Sequence, residues 1–208
     1  LSGISKTYDG GTSKGNTSIT ISGVGSETLS FSAATYSDAN VATANKYLTA
    51  LTLADNGAYL ASNYQLPTLN TTTAAATINK ATVTLSGISK TYDGGTTKGN
   101  TSMTISGVGS ETLGFTAATY NNQNVSANGS NYLTALTLAD NGSYLASNYQ
   151  LPTLNVTNAA ATINQATVTI SGISKTYDGG TTKGNTSMTI SGVGSETLSF
   201  SAATYSDA

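Results

Sequence analysis

The chain has 208 residues, of which only 9% are charged, a formal net charge of −2, and no arginine, histidine, cysteine or tryptophan. A surface so poor in clustered cations excludes nucleic acid as an expected partner, and the missing cysteine excludes disulfide staples and thiolate metal sites. No apolar run approaches the ~20 residues that a bilayer-spanning helix needs, so no membrane span is expected in these residues.

Low charge alone would suit a disordered chain, but twelve tyrosines and abundant Thr, Val and Ile argue for pleated, half-buried structure. The dominant feature is self-similarity. Leu1-Ser-Gly-Ile-Ser-Lys-Thr-Tyr-Asp-Gly-Gly returns at Leu85–Gly95 and again at Ile170–Gly180, so the period is 84 and then 85 residues. The extra residue falls between Val125 and Tyr132. Residues 170–208 differ from 1–39 at three positions, namely Leu1/Ile170, Ser13/Thr182 and Ile19/Met188. A unit of this length is too long for a solenoid repeat and large enough to hold its own core. The expected domains are 1–84, with its first strand truncated, 85–169, complete, and 170–208, incomplete. Ala81-Thr82-Val83-Thr84 continue the alternation ahead of Leu85, so Leu1 is expected to enter partway along a strand of a longer array.

The second copy shows the elements in order. Ala81, Val83 and Leu85 alternate with Thr82, Thr84 and Ser86, the period-2 signature of a strand with one buried face. Met103 and Ile105 flank Thr104, then Leu113, Phe115 and Ala117 alternate, and Leu136 and Leu138 flank Thr137. Ser143 to Asn148 fits at most a single helical turn. Tyr149 and Leu151, Ala161 and Ile163, then Val168 and Ile170 complete the series. Asp93-Gly94-Gly95, Gly107-Val108-Gly109, Asn121-Asn122, Asn128-Gly129 and Asp140-Asn141-Gly142 are the turns between them. Six or seven short strands per unit predict an all-β fold, tandem small Ig-like β-sandwiches set end to end as a rod, with β-grasp-like units as the alternative. The joins at 78–81 and 163–166 carry no flexible spacer, so neighbouring repeats are expected to touch.

Three turns share one sequence: Tyr8-Asp9-Gly10-Gly11, Tyr92-Asp93-Gly94-Gly95 and Tyr177-Asp178-Gly179-Gly180. An Asp side chain accepts from the backbone two residues on and glycine accepts positive φ, so these residues are read as a structural turn with the tyrosine ring over it. A ligand-binding tyrosine is the weaker reading. With no His or Cys, an acid–base relay or thiolate nucleophile is lacking. A carboxylate pair such as Asp93 with Glu111 stays open but recruits no further partners, and no catalytic residue, cofactor or metal is expected. Asp140-Asn141-Gly142 supplies a single acid, too few oxygens for calcium. Asn-x-Ser/Thr sequons stand at Asn16, Asn70, Asn100, Asn124, Asn128, Asn141, Asn155 and Asn185, as composition alone would produce. A Lys–Asn cross-link through Lys90 or Lys98 is chemically open, but no spacing selects a pair.

Ser-Lys-Thr-Tyr-Asp-Gly-Gly-Thr, the later Ala-Ser-Asn-Tyr-Gln-Leu at 61–66 and 146–151, and Ala-Ala-Ala-Thr-Ile-Asn at 74–79 resemble the YDG-type repeat family, in the family's order and over the whole chain. These domains occur with MBG-type domains in large bacterial surface adhesins similar to filamentous haemagglutinin. Two departures touch the turns: a second glycine after Tyr-Asp-Gly, and Ala-Ser-Asn-Tyr where the family more often reads Asp-Ala-Gly-Asn-Tyr. The resemblance implies a secreted, cell-surface protein with no catalytic residues. The expected function is a structural stalk that projects or spaces an adhesive region, with neighbouring repeats of the same chain as partners. A self-associating matrix filament of like chains, and a repeated module for host proteins or glycans, are the two alternatives.

Overall fold

The computed structural model describes every residue except 14, 98, 183, 185 and 208. The strands are β1 (Ser2–Thr7), β2 (Ser18–Ser22), β3 (Thr28–Tyr36), β4 (Leu48–Ala54), β5 (Thr77–Asn79), β6 (Ala81–Thr82), β7 (Thr84–Thr91) and β8 (Ser102–Ser106). They continue as β9 (Gly114–Tyr120), β10 (Leu133–Ala139), β11 (Tyr149–Gln150), β12 (Ala161–Asn164), β13 (Thr169–Ser174), β14 (Ser187–Ser191) and β15 (Thr197–Leu198). Helix among the described residues is confined to three 3-10 turns, Ala61–Asn63, Val125–Ala127 and Ala146–Asn148. The fold is all-β and built from several small sheets. Among the described residues no helix longer than a 3-10 turn packs on a sheet, as a β-grasp unit would require, and none is long and apolar enough to cross a membrane.

The contacts divide the chain into two compact units. The first takes Leu1–Leu85, Thr104–Thr116 and Thr137–Thr153. Its main sheet runs β4-β3-β2-β1-β5. β1 to β4 are successive antiparallel neighbours, while β5 returns after a long excursion to lie parallel to β1, with Lys6 opposite Ile78. The inward positions Ile4, Ile21, Leu29, Tyr36, Leu48 and Ile78 are buried, each large aliphatic contributing ~1.5–3 kcal/mol. The register shifts between Ser2 and Ser5, where Gly3 has φ +61, and Ile4 and Lys6, two residues apart, share the inward face of β1. In the same unit β11 lies parallel to β6, Tyr149 opposite Ala81 and Gln150 opposite Thr82, and the Val83 N–H donates to the Gln150 carbonyl at 3.0 Å.

The second unit takes Ser86–Met103, Ala117–Leu136 and Leu154–Ala208. Here β12 returns parallel to β7, Ile163 opposite Lys90, as β5 does to β1. Ile88, Tyr120, Leu133 and Ile163 form its core. β13, β14 and β15 make an antiparallel sheet in which Ile173 is 58% exposed, against 5% for Ile4 at the matching position of the first copy. The difference is the parallel closing strand: β1 and β7 each have one, and β13 pairs with β14 alone among the described residues.

Candidate functional site

The three Tyr-Asp-Gly-Gly turns are built alike. Gly10, Gly94 and Gly179 lie at φ +83, +79 and +75, and the N–H groups of Gly11, Gly95 and Gly180 donate to Oδ1 of Asp9, Asp93 and Asp178 at 3.2, 3.1 and 3.2 Å. Each turn is thus the Asp-Gly structure its sequence predicts. What the sequence reading missed is the lysine three residues ahead of each aspartate. Strand alternation turns Lys6 and Lys90 into the core, where both are 2% exposed. Lys90 Nζ donates to Asp93 Oδ1 at 2.6 Å, to the Gly95 carbonyl at 2.9 Å and to the Thr97 carbonyl at 3.0 Å. Lys6 makes the same three bonds to Asp9, Gly11 and Ser13 at 2.5, 2.9 and 3.0 Å. An ammonium has three protons, and all three are used. The Tyr36 and Tyr120 rings lie 5.4 and 5.5 Å from the two ammonium groups, within cation–π range. Lys175 repeats the contact with Asp178 and Gly180 beside the Tyr205 ring.

Burial pushes the Asp93 carboxyl up, but the Lys90 ammonium and the Gly95 N–H outweigh it and hold the group below the usual carboxylate range. For Asp178 the Lys175 bond is the largest influence, again downward. The other carboxylate oxygen faces a second glycine. A Cβ on Gly15 or Gly99 would stand 1.9 or 2.1 Å from Oδ2 of Asp9 or Asp93. The side chains of Asn16 and Asn100 finish the loop by accepting from the N–H of Thr7 and Thr91, each at 3.0 Å. In the first two turns each ammonium thus spends its three donors on acceptors of its own turn.

The turn tyrosines are not equivalent. Tyr8 is buried, Tyr92 half-buried and Tyr177 81% exposed. Tyr8 leaves its own turn and donates to Glu111 Oε1 at 3.0 Å, while Tyr149 donates to Glu111 Oε2 at 2.6 Å. The two rings meet edge to face with centroids 5.3 Å apart, an arrangement worth ~0.5–1.5 kcal/mol beyond area. The Val108 N–H donates to the Tyr149 hydroxyl at 3.0 Å. Alongside, Asn148 is 1% exposed; its Oδ1 accepts from the Val41 N–H at 2.8 Å and its Nδ2 donates to Asn40 Oδ1 at 3.0 Å. Tyr8, Asn40 and Val41 belong to the first sequence copy, and Glu111, Asn148 and Tyr149 to the second. This cluster therefore joins one copy to the next within the first unit. Burial and then the Glu111 bond raise the hydroxyl pKa of Tyr149 and of Tyr8 above its ordinary value. In the second unit Tyr92 donates to Glu196 Oε1 at 2.5 Å, the same pairing one copy on.

The remaining sequence candidates have local roles. Asp93 is committed to Lys90, and Glu111 to two tyrosines. Asp140 Oδ1 accepts from the Ala146 N–H at 2.7 Å and so anchors the 3-10 turn that follows. Asn128 exchanges two 2.9 Å bonds with the backbone of Ile163, and Asn70 and Asn155 close turns through Oδ1. Lys98 and Asn185 lie outside the described residues. Among the described residues no three side chains of metal-binding type come together.

No curated protein and no solved structure matches the chain. The YDG domain family matches twice, over residues 1–74 and 72–159. The two matches cover most of the sequence, and both contain the lysine-held turn and the Glu and Tyr positions of the junction. The chain belongs to the YDG domain family.

Proposed function

We propose that this chain is part of the shaft of a large secreted bacterial surface adhesin, in which YDG domains of Ig-like sandwich type stack end to end as a rod and project or space an adhesive region. The observation that carries the reading is the junction cluster, where Glu111 of one copy takes hydrogen bonds from Tyr149 of its own copy and Tyr8 of the copy before. Only Lys80 separates β5 from β6, and the Tyr8 N–H donates to the Asn79 carbonyl at 2.8 Å. Neighbouring copies are thus held by side-chain contacts and a one-residue join, and stiffness follows from the absence of a free linker. The role is mechanical and non-catalytic: the buried lysines and the junction carboxylate are spent on internal bonds. Small-angle scattering on the 208-residue chain tests it. At ~3.3 Å per strand residue, two and a half units extend to about 80–110 Å. A near-spherical particle, or a freely bending ensemble, refutes the shaft.

A further inference from the structure

In each of the first two copies the closing strand lies parallel to the opening strand and directly beside it. In the first unit β5 runs along β1, with Ser5, Lys6 and Thr7 opposite Thr77, Ile78 and Asn79, and the Tyr8 N–H donates to the Asn79 carbonyl at 2.8 Å. In the second unit β12 runs along β7, with Ile88 to Thr91 opposite Ala161 to Asn164, and the Tyr92 N–H donates to the Asn164 carbonyl at 2.8 Å. The chain enters at the start of one strand and leaves at the end of the other, and in a parallel pair these two points lie at opposite ends. Tension drawn along the chain therefore slides one strand lengthwise against its neighbour and loads all the bonds between them together. Between antiparallel strands the same two points would lie side by side, and the bonds would open one after another.

The two members of the second pair are not held alike. β7 has β12 on one side and β8 on the other. Its Lys90 also reaches the Gly95 and Thr97 carbonyls. That segment is tied to β9 by the Thr97–Thr119 bridge and by the Tyr120 N–H, which donates to the Thr96 carbonyl at 2.8 Å. β7 is thus fixed to the body of the unit from several sides. β12 stands at the edge of its sheet. Along its outer side the Ala161 N–H donates to the Asn131 carbonyl at 2.9 Å. Asn128 Oδ1 accepts from the Ile163 N–H and Asn128 Nδ2 donates to the Ile163 carbonyl, both at 2.9 Å. One side chain thus grips the strand edge with both of its polar atoms, on the side away from β7. β12 is the member that slides under load.

We propose that β1–β5 and β7–β12 are shear clamps that let the repeats carry tension along the chain, and that Asn128 raises the load at which β12 slips. The clamps give the shaft its use under pull and to that extent rest on the shaft reading; their geometry is independent of it.

Single-molecule pulling on the 208-residue chain tests both statements, and a chain without cysteine accepts introduced thiols as its attachment points. Thr84→Cys with Gln165→Cys, exposed at the start of β7 and just past the end of β12, loads the pair lengthwise. Ser86→Cys with Ala160→Cys, exposed just ahead of the paired residues Ile88 and Ala161, loads it crosswise from one end. Equilibrium stability is the same whichever residues are held, whereas rupture under force follows the unfolding rate along the pulled direction. At equal loading rate the lengthwise rupture force is expected to be several-fold the crosswise one. Asn128→Ala is expected to lower the lengthwise force and leave the crosswise force unchanged, because a crosswise pull opens the β7 side first. Equal forces in the two directions overturn the clamp, and a lengthwise force unaffected by Asn128→Ala overturns the grip on β12. A rod in scattering that parts equally easily in both directions keeps the shaft and loses the clamp. A near-spherical particle with strong lengthwise resistance does the reverse.

Discussion

Lys90→Met removes the ammonium that holds the central turn and keeps nearly all of the stem that packs in the core. Three acceptors lose their donor: Asp93 Oδ1, the Gly95 carbonyl and the Thr97 carbonyl. Truncating one partner of a buried ion pair costs ~3–5 kcal/mol, and each buried acceptor left unpaired costs ~1–3 kcal/mol. These are two views of the same loss and do not add. The Asp93 side chain is 31% exposed, so water re-solvates part of its charge, and the desolvation of the lysine is relieved. The expected net loss is about 2–4 kcal/mol, near the lower end of the buried-pair range. Urea unfolding followed by circular dichroism reads it as a fall in midpoint at unchanged slope. The double variant Lys90→Met/Asp93→Asn should be less damaged than the sum of the two single variants by ~1–2 kcal/mol, because the second change removes a charge already stranded. A Lys90→Met chain within 0.5 kcal/mol of the parent, on the ~0.5 kcal/mol scale of ordinary surface substitutions, refutes the fastener.

Gly107→Ala forces the Tyr149 hydroxyl out of a place 2.5 Å from the new methyl and breaks the Tyr149–Glu111 bond; a loss of ~1.5–3 kcal/mol is expected by denaturant titration for this charged hydrogen bond, and Tyr149 that stays put in a crystal structure of the variant contradicts the argument. A Cβ added at Gly94 meets no atom within 4 Å, but Gly94→Val must adopt φ +79, so backbone strain of ~1–3 kcal/mol is expected, and unchanged thermal melting excludes the left-handed turn. Tyr8 and Tyr149 hold their protons more tightly in the folded chain than in the unfolded one. With the folded pKa above the unfolded value near 10, stability is full below ~pH 10 and falls as pH rises toward the folded value. Chemical denaturation between pH 9 and 11 checks this, and Glu111→Gln, which removes the carboxylate both hydroxyls face, should flatten the fall.

The period, the β character of the alternating runs and the Asp-Gly turns were legible in the sequence because each depends on local chemistry, although the run Ala81–Ser86, read as one strand, divides at Val83 into β6 and β7. Alternation in Ala81–Ser86 and Met103–Ile105, and glycine after Asp93, act through residues one to three positions apart. Even the single helical turn within Ser143–Asn148 appears, as 3-10 residues Ala146–Asn148. Lys90 shows where such reading stops. A lysine in an alternating strand is read as solvated, and its burial depends on carbonyls of Gly95 and Thr97 folding back over it. The available signal was its recurrence three residues before every turn aspartate in a chain with few charges.

What the sequence determined by itself is the all-β character, the 84- and 85-residue period and the turn chemistry, since these follow from side-chain alternation and local φ preferences. Only the tertiary structure decided which tyrosines matter and to what they bond. Tyr8, Tyr92 and Tyr177 sit in one motif, yet Tyr8 is 8% exposed and Tyr177 is 81% exposed. Their fates differ because Glu111 and Tyr149 arrive from more than 100 residues away to cover the first, and a motif of eleven residues carries no record of what packs on it from that distance. Hydrogen bonds and burial are set by neighbours in space, and those exist only once the chain has folded.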